Sequence, residues 1–194
     1  MSDRVGKRTQ KTAGEPASLP NLDCLYERHP GLTQNICQAL AEAAHVCLSR
    51  HHNPPKSLHV SRGNPGYSSR QYVIDWPTVT QQQRAAWANT DDATRDGAYA
   101  VSLAVLECEQ QLFAISRAET RTGADYYVNS SGESDDLESA YKLEVSGTDH
   151  GDIKRRLKRK AEQAACGKSK LPALACVVGF KEAMVAIGEV EYQE

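Results

Sequence analysis

The sequence predicts a mixed α/β (α+β) fold, in which helices flank a mixed central sheet. Three observations predict it. Apolar residues recur at helical spacing from Leu32 to Cys47, and a longer apolar helix is predicted over residues 90–110. Short β-branched and aromatic segments bounded by turn residues indicate strands. Residues 172–180 form a nearly unbroken apolar run, which is typical of a strand that is buried on both faces.

The composition is that of a folded domain behind a short tail. Residues 1–20 are basic and rich in small polar side chains, so they predict a disordered tail. Residues 21–194 predict a single domain, with residues 21–89 as an N-terminal extension and residues 90–194 as its core. The formal net charge of -2 gives no global attraction to nucleic acid. Any binding of anions must therefore come from a local basic patch.

Cysteine usage and hydropathy indicate the compartment. The six cysteines are spread singly with no CxxC pair, which favours a reducing environment over a disulfide framework. No apolar run approaches the roughly 20 residues that span a bilayer. Residues 1–20 also lack the apolar stretch of a signal peptide. We therefore expect a cytoplasmic protein without a membrane contact.

The elements follow from periodicity and turn residues. The N-terminal extension is predicted to contain a helix that begins near Leu32 and ends before Asn53, and then a hairpin and a short helix. The hairpin strands are predicted at residues 57–61 and 71–76, and the short helix at residues 78–88. The core after residue 90 is predicted as a helix, three strands, a helix and two strands. Its strands are predicted at residues 112–118, 124–128, 141–146, 172–180 and, at a sheet edge, 184–192, with the second helix at 152–166.

Two carboxylates occupy informative places in this order. Asp125, in the motif GADYY, stands at the start of the second core strand, and Glu144, in the tripeptide EVS, stands in the third. Over residues 90–180 this arrangement resembles the αβββαβ core of the PD-(D/E)XK nuclease superfamily, a restriction-endonuclease-like fold. Ser146 stands where the family tripeptide has its lysine.

The resemblance implies metal-dependent hydrolysis of phosphodiester bonds in DNA, with Mg²⁺ or Mn²⁺ as the cofactor. Asp125 and Glu144 would hold the ion, since Mg²⁺ prefers carboxylate oxygens. Residues two apart on a strand share a face, so Ser146 would look into the same pocket and orient water. A third metal-binding acid commonly comes from the first core helix, where Asp96 is the expected residue and Glu107 its substitute.

The helix at residues 152–166 supplies cations next to this site. Lys160 lies at the border of its predicted buried stripe and would replace the missing tripeptide lysine in stabilising the phosphate. Gln163 falls where nucleases of the superfamily often carry a helical glutamine near the substrate. The helix is therefore expected to bind nucleic acid, through Lys154, Arg155, Arg156, Lys158, Arg159 and Gln163.

Other interpretations stay open. Without the tripeptide lysine, the chain would be a catalytically silent nuclease-fold protein that binds nucleic acid, a protein partner or a second copy of itself. An α/β adaptor unrelated to nucleases is a third possibility. Each acid also has an ordinary structural role to offer: Asp125 in a turn, Glu144 facing solvent, and Asp96 paired with an arginine. The nuclease requires the Asp125 and Glu144 carboxylates to converge within reach of one shared metal ion, whose ligand distances are about 2 Å, and carboxylates on opposite faces would exclude it.

Overall fold

The computed structural model of the protein describes residues 16–63, 68–119, 122–133, 137–165 and 171–190. A 3₁₀ helix spans Leu22–Glu27. The α-helices are α1 (Gln34–Ser49), α2 (Gln81–Ala86), α3 (Thr90–Gln110) and α4 (Ile153–Ala165). The strands are β1 (Ala17–Ser18), β2 (Lys56–Arg62), β3 (Ser68–Ile74), β4 (Phe113–Arg117), β5 (Tyr126–Asn129), β6 (Tyr141–Thr148), β7 (Ala173–Gly179) and β8 (Met184–Val190).

All of these strands belong to one mixed sheet in the order β1-β3-β2-β8-β7-β6-β5-β4. Strands β4, β5 and β6 form an antiparallel meander, and β6 then pairs in parallel with β7. Helix α3 packs on β6 and β7, and α4 packs on β6, β7 and β8. The predicted mixed α/β (α+β) class is confirmed, and the elements from α3 to β7 follow the predicted order of helix, three strands, helix and strand.

Helix α3 approaches the sheet closely because β6 carries a glycine beneath it. A Cβ atom at Gly147 would overlap the carbonyl oxygen of Thr94, would lie 2.7 Å from its carbonyl carbon and would meet Ala98 Cβ at 3.0 Å. Successive strand residues face opposite sides of a sheet. Gly147 and Val145 therefore face α3, and the residues between and beside them face α4.

The prediction that residues 184–192 form an edge strand is wrong. Strand β8 lies inside the sheet, with β7 antiparallel on one side and β2 parallel on the other. The parallel pair begins at His59 and Met184 and continues through Val60 and Val185, both of which are buried. Strands β2 and β3 of the N-terminal hairpin thus extend the core sheet. Their apolar side chains are buried on the face of the sheet that the helices already cover.

The predicted tail also needs a correction at its end. Ala17 and Ser18 pair in parallel with β3. The apolar side chain of Leu19, the next residue, is buried in the hydrophobic core. Residues 1–15 lie outside the described part of the chain. Among the described residues no helix is long and apolar enough to cross a bilayer. The five cysteines in this part are free, and Cys166 lies outside it.

Candidate functional site

A cavity of about 1080 Å³ opens beside β6, between the N-terminal half of α3 and the helix α4. Its position follows from the length of β5. This strand pairs with β6 only from Tyr126–Leu143 to Val128–Tyr141. Within the described ranges, no strand pairs on that side with residues 144–148 of β6, and this stretch forms the floor of the cavity.

Helix α4 runs along β6 so that hydrogen bonds join the two elements at successive positions. Lys142 Nζ donates to the carbonyl of Ala164 at 2.9 Å, and Lys160 Nζ donates to Glu144 Oε1 at 2.5 Å. Arg156 Nη1 donates to Ser146 Oγ at 3.3 Å.

These contacts repeat along both elements because one turn of helix and two residues of strand advance by similar distances. Four residues of helix rise about 6 Å, and two residues of strand rise about 6.6 Å. The sequence spacing of both elements therefore places Lys160 over Glu144 and Arg156 over Ser146.

Asp125 is held at the point where β5 and β6 separate. The pairing of Tyr126 with Leu143 brings the preceding residue, Asp125, beside Glu144. The Tyr99 hydroxyl of α3 donates to Asp125 Oδ1 at 2.7 Å, and the Val145 backbone N–H donates to Oδ2 at 2.8 Å. Each carboxylate oxygen thus accepts one hydrogen bond, which fixes the orientation of the group.

Burial changes the pKa values of Glu144 and of Tyr99. Only 3% of the Glu144 side chain is exposed, and 18% of the Lys160 side chain. Burial raises the pKa of Glu144 above its usual value; the Asp125 charge acts in the same direction, and Lys160 opposes both. Burial and the Asp125 carboxylate also raise the pKa of Tyr99, so this hydroxyl remains a hydrogen-bond donor. The site therefore holds two close carboxylates, one of them paired with a lysine.

An arginine closes the Asp125 side of the cavity. The guanidinium of Arg117 lies 4.5 Å from the ring centre of Tyr99 and 4.8 Å from that of Tyr126. Its Nη1 donates to the Tyr126 hydroxyl at 3.0 Å. Cation–π contacts at these distances attract the guanidinium to the two rings. Arg117 is thereby positioned against the same tyrosine that orients Asp125.

The other end of the cavity is tied to α1. Asp149 follows β6 and lines the cavity, and its two carboxylate oxygens lie 3.2 Å from Arg50 Nη1 and 3.2 Å from His51 Nε2. Arg50 Nη2 also donates to the carbonyl of Trp87 at 2.9 Å. These contacts fix the loop that leads from β6 into α4.

Six of the predicted residues come together here. The cavity is lined by Asp125, Glu144, Ser146, Arg156, Lys160 and Gln163. The remaining predicted cations of α4 are exposed and do not line it: Lys154, Arg155, Lys158 and Arg159.

The structure does not bring the predicted third acid to the cavity. Asp96 pairs with Arg95 at 2.8 Å, the ordinary structural role considered for it. Asp91 lines the cavity instead, because the stripe of α3 that faces it contains residues 91, 94, 95 and 99. Glu107, the predicted substitute, pairs with Arg28 at 2.7 Å near the other end of the helix.

Sequence reasoning missed Tyr99 and Arg117. Tyr99 lies within the apolar pattern of its helix, yet a buried tyrosine hydroxyl usually has a hydrogen-bond partner, and this could have pointed to a nearby acid. Arg117 carries no sequence signal of its own, since its place depends on how β4 pairs with β5.

The acids that line the cavity do not gather into a metal site made by protein side chains alone. Among the described residues, no group of three or more His, Cys, Asp or Glu side chains is placed to hold a metal ion. Mg²⁺, however, is commonly held by one or two carboxylates together with water and substrate phosphate. A carboxylate has about four lone-pair sites, so Asp125 and Glu144 keep acceptor capacity beyond their present hydrogen bonds. The donor set of this pair fits such an ion.

No family model matches the chain, and neither a curated protein nor a solved structure matches it. A functional assignment therefore depends on the residues of the cavity.

Proposed function

We propose that the protein is a metal-dependent nuclease that hydrolyses phosphodiester bonds in DNA. One observation carries the proposal: Lys160 of α4 lies against Glu144, beside Asp125, in one cavity. Metal-dependent hydrolysis of a phosphodiester needs carboxylates that hold the metal ion and a cation that stabilises the phosphate. A lysine next to two carboxylates offers both. The resemblance to the PD-(D/E)XK superfamily leads to the same proposal, with Lys160 replacing the lysine that Ser146 lacks.

The proposed reaction joins a water oxygen to phosphorus and breaks one P–O ester bond, which yields a phosphate monoester and an alcohol. Asp125 and Glu144 would hold Mg²⁺ or Mn²⁺. A bound ion of this kind supplies Lewis-acid stabilisation of negative charge on the phosphate and eases ionisation of the attacking water.

The protein side chains would do the rest. The Lys160 ammonium would contact a phosphate oxygen, and the Ser146 hydroxyl would orient water on the same face of β6. Tyr99 and the Val145 N–H would keep Asp125 in place, because each donates to one of its oxygens.

The test is cleavage of plasmid and single-stranded DNA with Mg²⁺ or Mn²⁺. We expect the wild type to cut, and Asp125→Asn, Glu144→Gln and Lys160→Met each to lose at least about a hundredfold in rate. Lys181→Met is the matched control, since Lys181 is exposed and does not line the cavity.

The result would count against the proposal if Lys181→Met slowed cleavage as much as Lys160→Met. Activity that survives EDTA would also contradict it, because the two carboxylates would then have no ion to hold. Circular dichroism of each variant separates lost chemistry from lost folding.

A second candidate is a catalytically silent subunit that uses the nuclease-like cavity to bind nucleic acid or a protein partner. The specific observation in its favour is that the acids already have protein partners. Both oxygens of Asp125 accept protein hydrogen bonds, and Glu144 is paired with Lys160. Clean wild-type protein that binds DNA without cutting any substrate would favour this candidate.

A further inference from the structure

Four arginine and lysine side chains line the cavity, and they differ in how far their charge is already neutralised. Arg95 pairs with two acids of its own helix, and Lys160 pairs with Glu144. Arg117 and Arg156 form no ion pair with any of the residues that the structure describes. These two arginines therefore keep their full charge for an external anion.

Arg156 lies one turn along α4 from Lys160, which is a rise of about 6 Å. Its partner on β6 is the neutral Ser146, so this contact positions the guanidinium without neutralising it. The side chain is half-buried and lines the cavity. Arg156 thus places a free cation next to Glu144, on the side that leads toward the beginning of α4.

Arg117 provides a free cation on the other side of the two acids. It lies on the rings of Tyr99 and Tyr126, and Tyr99 in turn holds Asp125. One of its five N–H donors bonds to the Tyr126 hydroxyl, and the exposed side chain lines the cavity. The contacts with the two rings and the hydrogen bond to Tyr126 hold the guanidinium in position before an anion binds.

We propose that Arg117 and Arg156 bind the phosphates on either side of the phosphate that occupies the Asp125–Glu144 centre. The substrate is then an internal segment of a polynucleotide strand, and a mononucleotide or a chain end lacks one of the two contacts. Guanidinium groups suit this role, because their fork of donors matches the oxygens of a phosphate. This inference rests on the proposed function, which makes a nucleic acid the substrate. It adds which part of the nucleic acid the cavity binds.

The test is the salt dependence of binding, which counts phosphate contacts independently of hydrolysis. A fluorescein-labelled oligothymidylate is titrated with protein in EDTA at several NaCl concentrations, and the fluorescence anisotropy is followed. For single strands, each phosphate contact contributes about 0.7 to the slope of log K against log salt. We expect Arg117→Gln and Arg156→Gln each to reduce the slope by about 0.7, and the double variant by about 1.4.

Two controls keep the outcome clear. Lys181→Gln makes the same change in net charge outside the cavity and should leave the slope unchanged. Arg117→Lys and Arg156→Lys keep the charge and should keep most of the slope. If the lysine variants lose as much as the glutamine variants, the arginines act on the fold and the inference is overturned.

The outcomes also separate this inference from the proposed function. Wild-type slopes in both glutamine variants would overturn the inference even for a protein that cleaves DNA. Reduced slopes in a protein that never cleaves would support the two phosphate contacts and refute the hydrolysis. A wild type that does not bind the oligonucleotide at all would overturn the inference together with the nucleic-acid substrate.

Discussion

Replacing Lys160 by methionine leaves the Glu144 carboxylate without its cation in a place that is nearly closed to water. The carboxylate is 3% exposed and accepts from Lys160 Nζ at 2.5 Å. After the substitution, Glu144 can avoid a buried, unpaired charge only by binding a proton. We therefore expect Lys160→Met to raise the pKa of Glu144 further and to lower the free energy of unfolding at neutral pH.

The size of this loss depends on pH. Keeping a proton on a glutamate whose ordinary pKa is about 4.3 costs about 1.4 kcal/mol for each pH unit above that value. The loss therefore cannot exceed about 4 kcal/mol at pH 7 or about 1 kcal/mol at pH 5. The neutral-pH value agrees with the roughly 3–5 kcal/mol that is lost when one partner of a buried ion pair is removed.

The sign follows from proton counting. Because burial raises the pKa of Glu144 in the folded state, the folded state binds more protons than the unfolded state between the ordinary and the raised pKa. Stability is then highest below the ordinary pKa and falls as the pH rises through this window. Lys160→Met raises the folded-state pKa of Glu144 further and so extends this pH range upward. The loss in the free energy of unfolding, relative to the wild type, should therefore grow from pH 5 to pH 7.

Urea unfolding followed by tryptophan fluorescence at pH 5, 6, 7 and 8 measures this deficit. Lys181→Met is the matched control on an exposed lysine, and we expect its curve to follow the wild type. The double variant Lys160→Met/Glu144→Gln should recover much of the loss, since no charge remains unpaired. An equal loss at pH 5 and pH 7, or a loss no larger than that of Lys181→Met, would refute the reasoning.

Two further predictions concern the frame of the site, and urea unfolding measures both. Gly147→Ala should cost about 3 kcal/mol, because its Cβ meets the backbone of α3, whereas Gly188→Ala, whose Cβ meets Leu157 at 3.5 Å, should stay within about 1 kcal/mol of the wild type. Similar losses in the two variants would contradict the close packing of α3 on β6. Tyr99→Phe should cost roughly 1.5–3 kcal/mol, since the Asp125 carboxylate loses the hydroxyl donor at 2.7 Å. Wild-type stability in Tyr99→Phe would show that this hydrogen bond contributes nothing to stability.

The core elements were predictable because their local patterns are strong. Helix α4 has a narrow apolar stripe, with Ile153 and Leu157 packed against the small cluster of Val177 and Ala186. The same periodicity set Lys160 at the border of that stripe, where it reaches Glu144. Residue spacing thus placed Lys160 on the side of α4 that faces β6, whereas the choice of Glu144 and Ser146 as site residues came from the resemblance.

Other parts depend on contacts between distant segments. The parallel pairing of His59 with Met184 has no local signal, so the sequence did not reveal that β8 lies inside the sheet. The rotation of α3 about its axis is set by close contacts on two sides, with Gly147 of β6 and, through Gly97, with Ala44 of α1. These contacts leave Asp91 facing the cavity and Asp96 paired with Arg95, a choice that helical periodicity alone leaves undecided.

The matched rise of α4 and β6 links the sequence choices of the two elements. Ser146 lies on the same face of the strand as Glu144, but the helix residue that contacts it is Arg156, whose Nη1 is 3.3 Å from the Ser146 hydroxyl. A lysine introduced at position 146 would therefore meet a second positive charge. The cation that faces Glu144 can pass from the helix to the strand only together with a change at position 156, so the two contacts constrain each other.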